Sequence, residues 1–440
     1  MTRARRRLVV LKFGGASVGD PARIAERTRR LRRGGVRVVI VASARAGVTD
    51  LLKGILERPR DRAAHRRAIA RVARAHAGAP AAGTALLRRL GQAVSSLEEV
   101  GAADPAVSDR LLSYGERLAV VWLADALAGR GVPAVPVEAD RIGLVTDGQH
   151  GRATVLLERS RRPVRRALGR ILARGDVPVV TGYFGRSLEG RIATLGRGGS
   201  DYSATALGAI LGAARVELVK RDVAVLSADP RLVPTARPIR RLSYEEAEEL
   251  AQFGAKVLHP LTVEPAKAHG IELVVRPLDQ PGASTTIGPP RGPDGMRAIS
   301  ALAPLALIRV RVPGGRQRPG IVAEVTDRLR ELDINIVTLF TSSSCLSVVL
   351  DRASAARARR GLAALAREGS VALEGPVPVS LVTAIGDGVL DDLGRLPLQV
   401  LARGEGLSAT PRSLSFAVPV HLGARAVRAL HRALVEAPRR

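Results

Sequence analysis

Lysine is nearly absent from this chain: five of its 69 basic side chains are lysine and the rest are arginine. Cysteine occurs once, at position 345, and aromatic residues make up only 2% of the 440 residues. One cysteine excludes an intramolecular disulfide and fits a reducing cytoplasm. Few aromatics leave few stacking platforms for single-stranded nucleic acid, although the formal net charge of +28 would favour a polyanion. The arginines run through most expected helices, as in Arg161-Arg162-Pro163-Val164-Arg165-Arg166. They read as a compositional bias spread over solvated faces, so no specific nucleic-acid partner is expected. No apolar run is long enough to span a bilayer, which argues against a membrane helix. The basic stretch Thr2 to Arg7 reads as a short arm before a first strand, because the apolar segment behind it breaks at Lys12 and two glycines.

What is present is an alternation. Apolar strands are expected at Leu8 to Phe13, Val36 to Ala42, Val132 to Val137, Val177 to Phe184, Val216 to Val219 and Ile271 to Val275. Helical stretches separate them, including one from about Pro21, a region from Asp61, and an amphipathic stretch from Ser108 to Leu127. That order predicts an α/β fold with a mostly parallel sheet between helices. Its ligands would bind at the carboxyl ends of the strands. Pro and Gly concentrate from Pro281 to Gly295 and read as a linker. Two shorter α+β units of similar strand and helix order follow it. The expected division is 1–288, a linker at 289–300, and small units at 301–371 and 372–440.

Because lysine is a compact point charge and arginine a planar fork, the surviving lysines mark positions where a fork does not fit. Lys53 and Lys267 read as surface residues. Lys12 opens Lys12-Phe13-Gly14-Gly15-Ala16-Ser17 at a strand end. Gly14 and Gly15 would let backbone amides approach phosphate oxygens, with the lysine neutralising a transferring phosphoryl group; by itself the motif is equally a glycine turn. Ser43-Ala44-Arg45-Ala46-Gly47-Val48-Thr49 offers hydroxyls after the second strand. Gly196-Arg197-Gly198-Gly199-Ser200-Asp201 sets a guanidinium and a carboxylate beside a helix start. Arg197 suits a carboxylate and Asp201 a lysine or a substrate ammonium; an ordinary capped helix is the simpler alternative. Glu116, in Ser113-Tyr114-Gly115-Glu116-Arg117, sits inside an apolar helix. It could meet an ammonium group or pair with Arg110 or Arg117. The set suits phosphoryl transfer to an amino acid without a covalent nucleophile.

In order and content these motifs resemble the aspartate kinases of the amino acid kinase superfamily. The resemblance rests on Lys-Phe-Gly-Gly-Ala-Ser-Val-Gly, Leu-Leu-Ser-Tyr-Gly-Glu-Arg, Thr-Leu-Gly-Arg-Gly-Gly-Ser-Asp-Tyr-Ser-Ala and Phe-Gly-Ala-Lys-Val-Leu-His-Pro. The C-terminal units resemble paired, ferredoxin-like ACT domains. The resemblance implies phosphoryl transfer from ATP to L-aspartate, giving 4-phospho-L-aspartate at the entry to lysine, threonine and methionine synthesis. It implies Lys12 and Asp201 as catalytic residues, and Ser43, Thr49, Glu116 and Arg197 around aspartate. Gly14, Gly15, Lys220, Asp222, Arg231 and Lys256 would face the nucleotide. Mg2+ would be held mainly by ATP phosphates, with no metal ligands of the protein's own. A homodimer or larger assembly, and an amino-acid effector at the ACT units, are also implied. The alternative is a catalytically weakened homologue that senses an amino acid.

Two departures stand out. The family's Thr-Asp-Val-Asp-Gly is replaced by Lys220-Arg221-Asp222-Val223-Ala224. If the lost glycine marked a left-handed turn, alanine there would cost about 1–2 kcal/mol. Lysine-inhibited relatives carry an acidic residue in the second strand region of the first ACT unit and a Ser-Glu pair in the next loop. Here Val337 and Ser342-Ser343 stand instead. A ligand ammonium would lack its carboxylates, so lysine feedback is expected to be weak, altered or absent.

Overall fold

The structure is a computed structural model. It describes residues 8–220, 224–254, 258–278, 284–290, 296–312, 319–367, 371–389, 391, 393–397, 399 and 404–436. The chain forms two compact units. The first comprises residues 1–225, 240–247 and 257–290, and the second 226–239, 248–256 and 291–440.

The first unit is built on strands β1 (Leu8–Phe13), β2 (Arg37–Ala42), β3 (Ala134–Val137), β4 (Val177–Thr181), β7 (Arg215–Lys220), β8 (Arg241–Ser243), β9 (Glu272–Pro277) and β10 (Thr285–Gly288). A short hairpin, β5 (Phe184–Arg186) with β6 (Ile192–Thr194), stands apart from the main sheet. The sheet order is β3-β4-β2-β1-β7-β9-β10-β8, and only the β9–β10 pair is antiparallel. This is the mostly parallel sheet that the alternation predicts. Alternation along β1 divides its side chains between the two faces. Val9, Leu11 and Phe13 enter an apolar cluster with Ile24 and Leu31 of the Pro21–Arg33 helix and Leu123 and Leu127 of the Pro105–Ala128 helix. Lys12 points to the other face, where the Gly199–Leu211 helix packs on β1 and β7.

The Pro105–Ala128 helix differs from the amphipathic expectation. Asp104 caps its first turn, accepting from the Val107 amide at 2.7 Å. Its middle is buried nearly all round, because one face meets the sheet and another meets Leu52, Val72 and Leu90 of three further helices. The strand expected through Phe184 also breaks. Tyr183 adopts φ +73°, which ends β4 and starts the hairpin.

The second unit holds one antiparallel six-stranded sheet. Its strands are β11 (Met296–Arg311), β12 (Ile336–Thr341), β13 (Cys345–Asp351), β14 (Ala372–Gly386), β15 (Glu405–Thr410) and β16 (Ser413–Pro419), in the order β12-β13-β11-β14-β16-β15. The first ACT-type unit runs strand, helix Ile321–Glu331, two strands, helix Ala355–Arg367, strand. Its core includes Ile308, Val325, Leu329, Val348 and Leu362. The expected borders give way to an interleaved arrangement. β11 starts at Met296, inside the stretch read as linker, and residues 296–302 pair with 381–386, in the half capped by the Gly423–His431 helix. Residues 305–311 pair with 372–379. Each long strand thus serves both α+β halves, and no border at 301 or 372 separates them.

Candidate active site

Lys12 is the last residue but one of β1 and is 7% exposed. Across from it, Gly198 caps the Gly199–Leu211 helix in a left-handed conformation, φ +74°, where a Cβ would sit 2.6 Å from that of His259. Glycine at 198 therefore lets the helix start against His259 and delivers Asp201 in its first turn. Lys12 Nζ lies 2.7 Å from Asp201 Oδ1, and Lys220 Nζ, from the end of β7, lies 2.8 Å from Oδ2. Burial alone would raise the Asp201 pKa, but the two ammonium groups outweigh it and hold it down at about 2. At neutral pH the trio therefore carries two positive charges and one negative, which leaves a net positive charge for an anionic ligand.

Glu116 forms the second centre. It is 3% exposed, and Oε1 accepts the Ala44 amide at 2.9 Å. Oε2 is buried with no hydrogen-bond partner among the described residues. Burial pushes its pKa up to about 8, against the opposing pull of the Ala44 amide and the Lys12 charge. The pairing of Glu116 with Arg117 or Arg110 that sequence left open is not what the structure holds. Arg117 instead engages Glu138, lies 3.0 Å from Asp140 and stacks over Phe184. Glu116 is thus a buried acid with one oxygen free for a donor.

Both centres open into one cavity of about 640 Å³, which Ser43, Thr49, Arg197 and Ser200 also line. Ser43 follows β2, and Thr49 lies in the first turn of the Val48–Glu57 helix, behind Gly47 at φ +78°. Arg197 is exposed at the mouth. A Cβ on Gly14 would lie 3.6 Å from Lys12 Nζ, an ordinary contact. At Gly15 a Cβ would lie 2.7 Å from the Ala44 carbonyl oxygen, so the β1 and β2 turns meet only through glycine. Lys12, Asp201, Ser43, Thr49, Glu116, Arg197 and, through Asp201, Lys220 are therefore brought together.

Asp222 and Lys256 lie outside the described residues. Arg231 belongs to the second unit, is exposed, and binds Asp229 at 2.5 Å. Ala224 is buried, and the turn before it, residues 221–223, lies outside the described residues. Lys267 pairs with Glu245 at 3.2 Å as a surface residue would, whereas Lys53 is exposed on the cavity rim.

Sequence reasoning missed Asp109, His150 and Tyr183, which also line the cavity. A signal existed for Asp109: it stands seven residues before Glu116 on one helix, hence on the same face. His150 comes from a polar loop with no distinguishing pattern.

A parallel sheet whose strand ends present a lysine-bound aspartate and glycine turns defines a small-molecule phosphotransferase. In keeping with this, the model of the amino acid kinase family matches residues 7–277. The chain is 32% identical over 336 residues to an aspartokinase of Thermus thermophilus, covering 75% of this chain and 71% of that one. It is 31% identical over 361 residues to lysine-sensitive aspartokinase 3 of Escherichia coli K12, covering 78% of each. The crystal structure of E. coli aspartokinase III in complex with aspartate and ADP superposes with a TM-score of 0.83 at 26% identity, covering 97% of this chain and 99% of that one. The chain belongs to the aspartokinases of the amino acid kinase family.

Proposed function

We propose that this chain transfers the γ-phosphoryl group of ATP to the β-carboxylate of L-aspartate, giving 4-phospho-L-aspartate and ADP. The observation that carries the reading is the shared cavity, lined by Lys12, Asp201 and Glu116, with Lys220 joined to it through Asp201. A carboxylate is already ionised at neutral pH, so the nucleophile needs no general base. Its oxygen attacks phosphorus in line while the bond to the β-phosphate oxygen of ADP breaks. Negative charge accumulates on the equatorial oxygens of the transferring group, and Lys12 meets that charge. Asp201 holds Lys12 in place through the 2.7 Å ion pair.

Glu116 takes the substrate ammonium, which supplies the donor that Oε2 lacks. Arg197 binds a substrate carboxylate, and Ser43 and Thr49 offer hydroxyls beside it. Lys220 is assigned to the nucleotide phosphates together with Gly14 and Gly15. Asp222, Arg231 and Lys256 are assigned to the nucleotide on the motif resemblance alone. Among the described residues no three His, Cys, Asp or Glu side chains group to hold a metal ion. Asp201 is occupied by two lysines. An Mg2+ ion accompanying ATP would accordingly take its ligands mainly from phosphate oxygens, and it would neutralise phosphate charge. A catalytic part joined to paired ACT units, a cytoplasmic homodimer, and an amino-acid effector at the ACT units complete the proposal.

The product is an acyl phosphate, which hydroxylamine converts to a hydroxamate. ATP, Mg2+ and L-aspartate with hydroxylamine should yield aspartyl hydroxamate, and L-glutamate in its place should yield almost none. Hydroxamate from glutamate alone, or from neither, would overturn the assignment.

A further inference from the structure

Asp109 is the most heavily engaged carboxylate on the cavity wall, and the mechanism above leaves it unused. It is 2% exposed. Oδ2 accepts from His150 Nδ1 at 2.8 Å, from the Gly151 amide at 3.1 Å and from the Thr194 amide at 2.9 Å, and Oδ1 accepts from the Thr194 hydroxyl. These donors come from two separate segments, the 149–152 turn and the end of β6. Asp109 itself lies two helical turns before Glu116 on the same face.

Each anchored segment continues into the site. Thr194 stands three residues before Arg197. Gly151 supports the same loop from below: a Cβ on Gly196 would lie 2.8 Å from the Gly151 carbonyl oxygen. His150, its Nδ1 fixed by Asp109, lines the cavity. One carboxylate thus ties the helix that carries Glu116 to the loop that carries Arg197.

We propose that Asp109 is a positioning residue that fixes the span between Glu116 and Arg197, and so the length of the amino-acid substrate the site accepts. The inference rests on the reaction proposed above, in which those two residues hold the substrate's ammonium and a carboxylate. Aspartate and glutamate carry the same groups and differ by one methylene. Hydrogen-bond donors alone do not separate them, whereas a fixed span does. Asp109 has no lysine or arginine partner among the described residues, so its charge is met by His150 and by backbone and hydroxyl donors.

Three variants test this. Asp109→Ala removes all four bonds. Asp109→Asn keeps the fold more safely: its oxygen can take the Oδ2 place, and its amide can donate to the Thr194 hydroxyl. Thr194→Val removes one bond with little change of shape. Steady-state kinetics would be measured with aspartate and glutamate at saturating ATP, and with ATP at saturating aspartate. Asp109→Ala should raise KM for aspartate by about tenfold or more while KM for ATP changes by less than about twofold. The kcat/KM preference for aspartate over glutamate should narrow in all three variants, most in Asp109→Ala and least in Thr194→Val. An unchanged preference in the soluble variants, or equal rises in KM for both substrates, would mean that Asp109 serves the scaffold only. If the wild type itself fails to turn over aspartate, the proposed reaction falls and this inference falls with it. If the wild type is active and the preference holds, only the inference falls.

Discussion

Lys12 and Lys220 meet on one buried carboxylate, and a lysine suits that place for a physical reason. A primary ammonium lies on Asp201 at 2.7 Å and still presents hydrogens to a second anion, whereas a planar guanidinium is a bulkier, forked donor. Lys12→Ala should lower kcat by about 10²–10³-fold, with the fold kept because Lys220 still neutralises Asp201. Rapid-quench or steady-state turnover measures this, and a variant within a few fold of wild type contradicts it. Glu116 gives a second residue-scale prediction. In the folded free protein it keeps its proton up to about pH 8, while the unfolded chain releases it near the ordinary 4.5. Between those values the folded state binds more protons, so the stability owed to this group falls as pH rises and levels off above about 8. Glu116→Gln has no such titration. The wild-type Tm should therefore decline relative to the variant between about pH 5 and about pH 8, and saturating aspartate should reverse the trend by supplying an ammonium partner. A difference independent of pH in that window would contradict the placement of Glu116 as a buried acid.

At the scale of elements, the site depends on how closely the Pro105–Ala128 helix approaches the turn after β2. Gly115 makes that approach: a Cβ there would lie 2.8 Å from Ala44 Cβ and 3.5 Å from Val48 Cγ1. The neighbouring Ala44 amide is the one that binds Glu116. Gly115→Ala should push helix and turn apart, costing about 1–3 kcal/mol in denaturant unfolding and raising KM for aspartate more than KM for ATP. Unchanged stability with unchanged KM would show that the helix accommodates the methyl group elsewhere. The elements themselves were largely legible. Six strands of the first unit follow from short apolar runs, and Asp201 falls in a first helical turn as its sequence neighbours imply. What was not legible depends on contacts far apart in sequence. The all-round burial of the Pro105–Ala128 helix comes from packing against both a sheet and a helical layer, and its local pattern does not record that. The break at Tyr183 comes from a positive φ that no residue preference announces. Glu116 could be flagged as out of place, but its partner, a backbone amide 72 positions away, could not be read from composition.

The whole chain couples a kinase unit to a second unit in which two α+β halves share two long strands. Sequence located both halves and the order of their elements but set borders where the strands in fact run through. Continuous strands of 16 and 15 residues leave no local signal at a boundary they cross. The position where an acidic residue was expected holds Val337, half-buried on β12 against the cluster of Leu305, Leu307, Phe340 and Leu381. In the following loop Ser342 turns both its amide and its hydroxyl to the Cys345 carbonyl, so its side chain is spent on the turn. An ammonium ligand would find apolar surface there in place of carboxylate. Added L-lysine should leave aspartate-dependent turnover nearly unchanged; strong inhibition in the same assay contradicts this.

The most direct test of the account is ADP release by the purified full chain given ATP, Mg2+ and L-aspartate, set beside Lys12→Ala and a glutamate blank. The account predicts aspartate-dependent release that the substitution lowers by about 10²-fold or more and glutamate does not support. A folded protein that releases no ADP with aspartate, or one whose release stays within a few fold of wild type without Lys12, would contradict it.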